Sequence, residues 1–117
     1  MMSVLIKRIY DLKENDKGYR VLVDRIWPRG VSKEDANLDE WLKDIAPSTE
    51  LRKWFDHRKE RFEEFSIKYQ KEIQKHPEII RNLIEKAKSG KLILLYGAKD
   101  EKHNQAVVLK NIIEEEQ

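Results

Sequence analysis

The sequence predicts a single α/β domain spanning residues 1–117, with a small, mainly parallel three-stranded sheet covered by about five helices. Three observations carry this. Val21-Leu22-Val23 and Leu92-Ile93-Leu94-Leu95 are continuous apolar runs of the kind found in strands buried on both faces. The long stretch between them shows helical spacing of its apolar residues. A chain of this length buries roughly two thirds of its unfolded surface, enough for one core.

The first strand is expected near residues 3–9, where Val4, Leu5, Ile6 and Ile9 cluster. Asp11 to Gly18 is polar and reads as a loop. The second strand is expected at residues 19–25. The gap of about nine residues between these strands suits a wide hairpin better than a crossover, which usually takes about a dozen residues. The direction of the first strand is therefore open on spacing alone.

Four helical segments are expected next. Leu38, Trp41, Leu42 and Ile45 have helical spacing after a plausible Asn37 cap. Ser48 caps a second segment bearing Leu51, Trp54 and Phe55. A third carries Phe62, Phe65, Tyr69 and Ile73 on one face. Pro77 opens a fourth, with Ile80, Leu83 and Ala87, that stops at Ser89-Gly90. A third strand follows at residues 91–96. A last helix carries Val108, Leu109, Ile112 and Ile113 and frays into Glu114 to Gln117. Trp41 and Trp54 are expected to serve the core.

Composition narrows the function classes. The chain has 24 Lys and Arg against 22 Asp and Glu, a net charge of +2, which is too balanced for a dedicated nucleic-acid binder. The charge is uneven: residues 1–33 hold eight basic against four acidic side chains (+4), and the remainder 16 against 18 (−2). A basic first third favours an anionic partner. With no cysteine there is no disulfide, thiolate chemistry or Cys-ligated metal. No apolar run approaches the roughly 18 residues of a membrane span, and no signal-peptide pattern precedes Val4. The expectation is a cytoplasmic protein.

Two strand ends concentrate the functional side chains. After the second strand come Asp24, Arg25, Trp27, Pro28, Arg29 and Gly30. In a parallel sheet, ligands sit beyond the carboxyl ends of strands. Arg25 and Arg29 carry planar forks suited to phosphate or carboxylate. An Asp24–Arg pair with Trp27 in the core would also account for the segment.

After the third strand come Tyr96, Gly97, Lys99, Asp100, His103 and Asn104. Asp100 is a candidate helix cap whose following N–H groups form an anion site. His103 is the one histidine at such a strand end, and imidazole is the natural acid/base near neutral pH. Solvated lysines and a His103 hydrogen-bonded to a backbone carbonyl would equally explain the pattern. His57 and His76 read as structural. Asp24, Asp100 and His103 have ligand chemistry, but no dedicated metal spacing. There is no Gly-rich phosphate loop, dinucleotide fingerprint or nucleophile elbow.

The run Tyr19-Arg20-Val21-Leu22-Val23-Asp24-Arg25-Ile26-Trp27-Pro28-Arg29-Gly30 resembles the signature of the YeaO-like family. So do Ala46-Pro47-Ser48-Thr49-Glu50-Leu51-Arg52-Lys53-Trp54-Phe55 and Leu94-Leu95-Tyr96-Gly97-Ala98-Lys99-Asp100, followed by His103-Asn104-Gln105-Ala106-Val107-Val108-Leu109. The resemblance covers about Ile6 to Leu109. Gly97 departs from the alanine expected there, a change expected to be nearly neutral. These are small microbial proteins with a domain of unknown function, so the resemblance implies a compact α/β domain but no activity, substrate or cofactor. In the broader superfamily a helix joins the first two strands, which implies a parallel first strand.

The expected site is thus a pocket for a small anionic, phosphate-bearing ligand. Arg25 and Arg29 would hold the anion, with Lys99 adding charge and Trp27 and Tyr96 forming walls. His103 would act as general acid/base, with Asp24 or Asp100 orienting it, and hydrolysis or group transfer is the compatible chemistry. The alternative is a non-catalytic nucleic-acid or protein-binding module using Arg8, Arg20, Arg25, Arg29 and Lys33.

Overall fold

The computed structural model describes residues 2–115. Its elements are β1 (Ser3–Arg8), β2 (Tyr19–Leu22), α1 (Lys33–Ala36), β3 (Glu40–Trp41), α2 (Thr49–Phe55), α3 (Phe62–Ile73), α4 (Pro77–Ser89), β4 (Lys91–Tyr96) and α5 (Gln105–Glu115). The sheet has four strands in the order β1-β4-β2-β3, and every pairing is parallel. The expected three-stranded α/β sheet is therefore right in class and short by one strand. Residues 116 and 117 of the expected fraying tail lie outside the described residues. No helix among the described residues is long and apolar enough to cross a membrane.

β4 lies in the middle and accounts for the Leu92–Leu95 run. Its side chains point alternately to opposite faces, and both faces are covered. Leu92, Leu94 and Tyr96 join Val21 and Val23 in the larger core, against Phe65 and Tyr69 of α3, Leu83 of α4 and Leu109 of α5. Ile93 and Leu95 join Leu22 in a smaller core, covered by Ile9, Ala36 and the partly buried Trp27, Leu38 and Trp41. Burying each of these Leu or Ile side chains stabilises the fold by about 1.5–3 kcal/mol.

The short link between β1 and β2, whose spacing left the direction of β1 open, is a crossing. β4 sits between the two strands, so residues 9–18, with one 3-10 turn at Ile9–Asp11, pass over the face of the sheet that bears Ile93 and Leu95. β1 is parallel to its neighbour, as the family resemblance implied. Gly18 closes this crossing at φ +151°, where a Cβ would lie 2.9 Å from the Lys91 carbonyl oxygen. Only glycine fits such a backbone so close to a neighbouring strand.

The helix expected over residues 38–45 does not form. Asn37 adopts the left-handed conformation (φ 44°, ψ 55°) and ends α1 instead of starting a helix. Glu40 and Trp41 then pair with Val21 and Leu22 as the edge strand β3. Asp39 N donates to Arg20 O at 2.9 Å and Leu42 N to Leu22 O at 2.9 Å. Without β3 this side of β2 would present unpaired backbone groups, and satisfying them outweighs a weak helical preference. The remaining helices follow the sequence reading: the Ser48 hydroxyl caps α2 through Leu51 N at 3.1 Å, and Pro77 opens α4.

Trp41 and Trp54 sit at the margin of the core and are not fully enclosed. Trp41 packs edge-on to Trp27 with 5.2 Å between centroids. Lys68 Nζ lies 4.2 Å above the Trp54 ring.

Arg20 is buried, at 5% exposure, and its guanidinium holds the loop layer together. It donates to the carbonyls of Ala36 (3.0 Å), Lys13 (3.0 Å) and Asp16 (2.7 Å). Arg20→Ala is expected to lower unfolding stability by about 2–4 kcal/mol, since several charge-assisted bonds are lost and carbonyls are stranded. Arg20→Lys would not restore it, because an ammonium cannot reach three carbonyls in a fork. Urea denaturation checks both; a loss under about 1 kcal/mol for the alanine variant would show that the loops hold without Arg20.

Candidate functional site at the strand ends

β2 and β4 finish at the same edge of the sheet. Leu22 is in register with Leu95, and Val23 N continues the ladder to Leu95 O at 3.0 Å. Asp24 therefore emerges beside Gly97. Its Oδ2 accepts from Gly97 N at 2.9 Å, its Oδ1 accepts from the Gln105 side-chain amide, and its backbone carbonyl accepts from Trp41 Nε1 at 2.7 Å. One residue thereby joins the ends of β2, β4 and β3 to the start of α5.

The start of α5 is built differently from the sequence reading. Asn104 is the cap, not Asp100: its Oδ1 accepts from Ala106 N (2.9 Å) and Val107 N (3.2 Å). Asp100 closes a turn one step earlier, accepting from Lys102 N (2.9 Å) and His103 N (3.1 Å) through Oδ1. Its Oδ2 lies 2.8 Å from His103 Nδ1. These backbone N–H groups are thus already taken, and the anion site expected after Asp100 is filled by protein oxygens. The Lys102 and His103 donors lower the Asp100 carboxyl below its usual value.

A cleft of about 300 Å³ opens over this edge. Asp24, Arg25, Trp27 and Pro28 line it from the segment after β2, Gly97 and Ala98 from the segment after β4, and His103, Asn104 and Gln105 from the entry to α5. Arg52, Phe55 and His57 close it from the end of α2. Both Asp56 (φ 49°) and His57 (φ 54°) are left-handed, which turns the chain sharply where α2 meets the cleft. Ile26 stands at the rim and is 57% exposed.

Of the residues expected to form the site, Asp24, Arg25, Trp27 and His103 share this cleft, whereas Arg29, Tyr96, Lys99 and Asp100 do not line it. Arg29 and Lys99 are exposed outside it. Tyr96 is buried in the main core and has no face free to form a wall. Asp100 reaches the cleft only through His103, which it orients; Asp24 is committed to Gly97 and Gln105 instead.

Arg25 is partly tied down, with Nε donating to Pro47 O (3.0 Å) and one terminal nitrogen to Ala46 O (3.1 Å). Trp27 Nε1 donates to Val31 O at 2.7 Å. Among the described residues no group of three His, Asp or Glu side chains converges to hold a metal, so Asp24, Asp100 and His103 are not a ligand set. The basic residues of the first third do not share one exposed face either, because Arg20 is buried.

Arg52 and Gln105 were not singled out from the sequence, and His57, read there as structural, also lines the cleft. The signal for Arg52 lies in the spacing of Leu51 and Phe55, which are buried and fix the inward stripe of α2. Arg52 follows Leu51 by one residue and so sits at the edge of that stripe. Its guanidinium makes no hydrogen bond or ion pair among the described residues.

Gly97 is less interchangeable with alanine than the sequence suggested. A Cβ there would lie 3.0 Å from Asp24 Oδ2, so the carboxylate would have to shift by a few tenths of an ångström.

Comparison with known proteins gives a consistent picture. Residues 3–117 match a family model described as "Inactive DUF488-N3 subclade". The chain is 46% identical over 108 residues to the uncharacterized protein YeaO of Escherichia coli K12, covering 92% of this chain and 94% of that protein. It is 51% identical over 70 residues to the uncharacterized protein Mb3100c of Mycobacterium bovis, covering 60% of this chain and 59% of that protein. The same identity and coverage hold for the uncharacterized protein Rv3073c of Mycobacterium tuberculosis. No solved structure matches the chain significantly.

Burial pushes the Asp24 carboxyl up from 3.8 to about 6, against the opposing pull of the Gly97 and Gln105 donors and the Arg52 charge. A raised folded pKa means that the folded state holds the proton more tightly than the unfolded chain. The resulting stabilisation is full below about pH 4 and is lost as pH rises through about 6. The stability difference between wild type and Asp24→Asn is therefore expected to shift against wild type by about 1–3 kcal/mol between pH 4 and pH 7. Urea unfolding of both proteins across that range checks this; a pH-independent difference would contradict it.

Proposed function

The chain belongs to the inactive DUF488-N3 subclade, and on that footing we propose that its strand-end cleft binds a small anionic ligand bearing a phosphate or carboxylate. The observation that carries this is Arg52, a cleft-lining guanidinium with no protein partner among the described residues, standing with Arg25 around Asp24. The charge balance of the lining supports it. Arg25 and Arg52 are cationic, and Asp24 is the one acidic side chain among the lining residues. An anion in a partly enclosed cleft gains more from such charges than it would in water. Trp27 and Phe55 supply apolar walls for the rest of the ligand.

Binding without turnover is the favoured form, in keeping with the word "inactive" in the family description. A catalytic form, hydrolysis or group transfer, rests on the Asp100–His103 pair. There a carboxylate 2.8 Å from Nδ1 fixes the ring and leaves Nε2 as the exchanging nitrogen.

Titration calorimetry with inorganic phosphate tests the proposal. Arg52→Ala is expected to weaken binding about tenfold or more, since a charge-assisted contact is removed. Arg29→Ala is expected to leave it within about twofold. Undiminished binding by Arg52→Ala would sink this assignment. Release of nitrophenol from phosphate or carboxylate esters by wild type, abolished in His103→Ala, would move the conclusion to the catalytic form.

A further inference from the structure

The surroundings of Asp24 restrict what kind of anion the cleft accepts. Both carboxylate oxygens face donors: Oδ2 faces Gly97 N–H, and Oδ1 faces the side-chain amide nitrogen of Gln105. The orientation of that amide is fixed independently. The same nitrogen also donates to the Val23 carbonyl at 3.3 Å, so its oxygen cannot be turned toward Asp24 without stranding that bond. A proton on Asp24 therefore has no acceptor within the protein. The cleft that Asp24 lines is where a partner for such a proton can be offered.

An ionised carboxylate offers about four acceptor positions. Two are occupied by Gly97 and Gln105, and Asp24 lines the cleft with acceptor capacity to spare. In a cleft of about 300 Å³, an oxyanion held by Arg52 is close to Asp24. Two oxyanions pressed together without a proton between them repel; with one shared proton they form a strong, charge-assisted hydrogen bond.

We propose, building on the anion-binding reading, that Asp24 is the specificity-determining residue of the cleft: it selects oxyanions that carry a proton, such as hydrogen phosphate or a phosphomonoester monoanion, and rejects fully ionised ones such as sulfate. No bond is made or broken in this step beyond the sharing of one proton, supplied by the ligand at neutral pH. Arg25 and Arg52 set the overall attraction, with His57 and His103 beside them in the lining. These four act on phosphate and sulfate alike, so the ratio of the two affinities isolates Asp24.

The test is calorimetric titration of the full-length protein with inorganic phosphate and with sulfate at pH 7.5. There sulfate carries no proton, whereas phosphate, of similar size and mostly the dianion, keeps at least one. Wild type is expected to favour phosphate by about tenfold or more, the scale of one charge-assisted hydrogen bond against an unrelieved repulsion. In Asp24→Asn the preference is expected to fall to within about twofold. The wild-type ratio needs no variant and stands whether or not Asp24→Asn folds. Equal binding of the two ions by wild type, or an unchanged ratio in a folded Asp24→Asn, overturns the selectivity while leaving the anion cleft intact. Binding of neither ion overturns the anion cleft itself and this inference with it.

Discussion

The molecule is organised around a single carboxylate. Asp24 follows the last paired residues of β2, and its side chain spans to the end of β4 and the first turn of α5 while its carbonyl holds the β3 indole. Three strand ends and a helix start are thereby fixed relative to one another by contacts to one residue. Burial works against this arrangement by raising the cost of the charge, and two donors and Arg52 work for it. A buried carboxylate that only partly offsets its desolvation is a poor choice for stability alone.

Much of the fold was legible because its strongest signals are local. Leu92–Leu95 could only be a strand covered on both faces, and β4 is the central strand. Ser48, Pro77 and Ser89-Gly90 mark helix ends through chemistry that acts within one turn. What could not be read depends on pairing between distant segments. Glu40 and Trp41 form a strand because β2 has an open side, a fact invisible in residues 38–45 themselves. The β1–β2 crossing likewise depends on β4, which enters the sheet only after residue 90. Until that strand is placed between them, a hairpin is the more economical reading of so short a link.

The site was legible to the same depth. The rule that ligands sit beyond strand ends led to the edge where the cleft opens, and Asp24, Arg25 and His103 line that cleft. It could not give the direction of each side chain. Arg29 lies four residues beyond Arg25, but Pro28 is buried and the chain has turned away, so its guanidinium lies outside the cleft. Tyr96 is the last residue of β4, and strand alternation sends it into the main core with Leu92 and Leu94. Arg52 comes from α2, an element that strand-end reasoning never consults. Its signal was the helical stripe of Leu51 and Phe55.

The two faces of the sheet explain why the cleft lies where it does. One face carries four helices, and the other is covered by loops, the short α1 and the Trp27–Trp41 pair, with Arg20 binding that layer together. Layers of such different thickness cannot close evenly over a common edge. Where they fail to meet, Phe55 and Phe65 from the helical layer and Trp27 from the loop layer leave a gap with apolar sides. The floor of that gap is the strand ends, where backbone groups need partners and Asp24 supplies some of them. Polar chemistry at the bottom and apolar walls above are therefore products of the same packing mismatch. A ligand that fills the gap would touch both layers at once, so its binding would stiffen the junction that Asp24 maintains, and occupancy would be felt as stability of the whole domain.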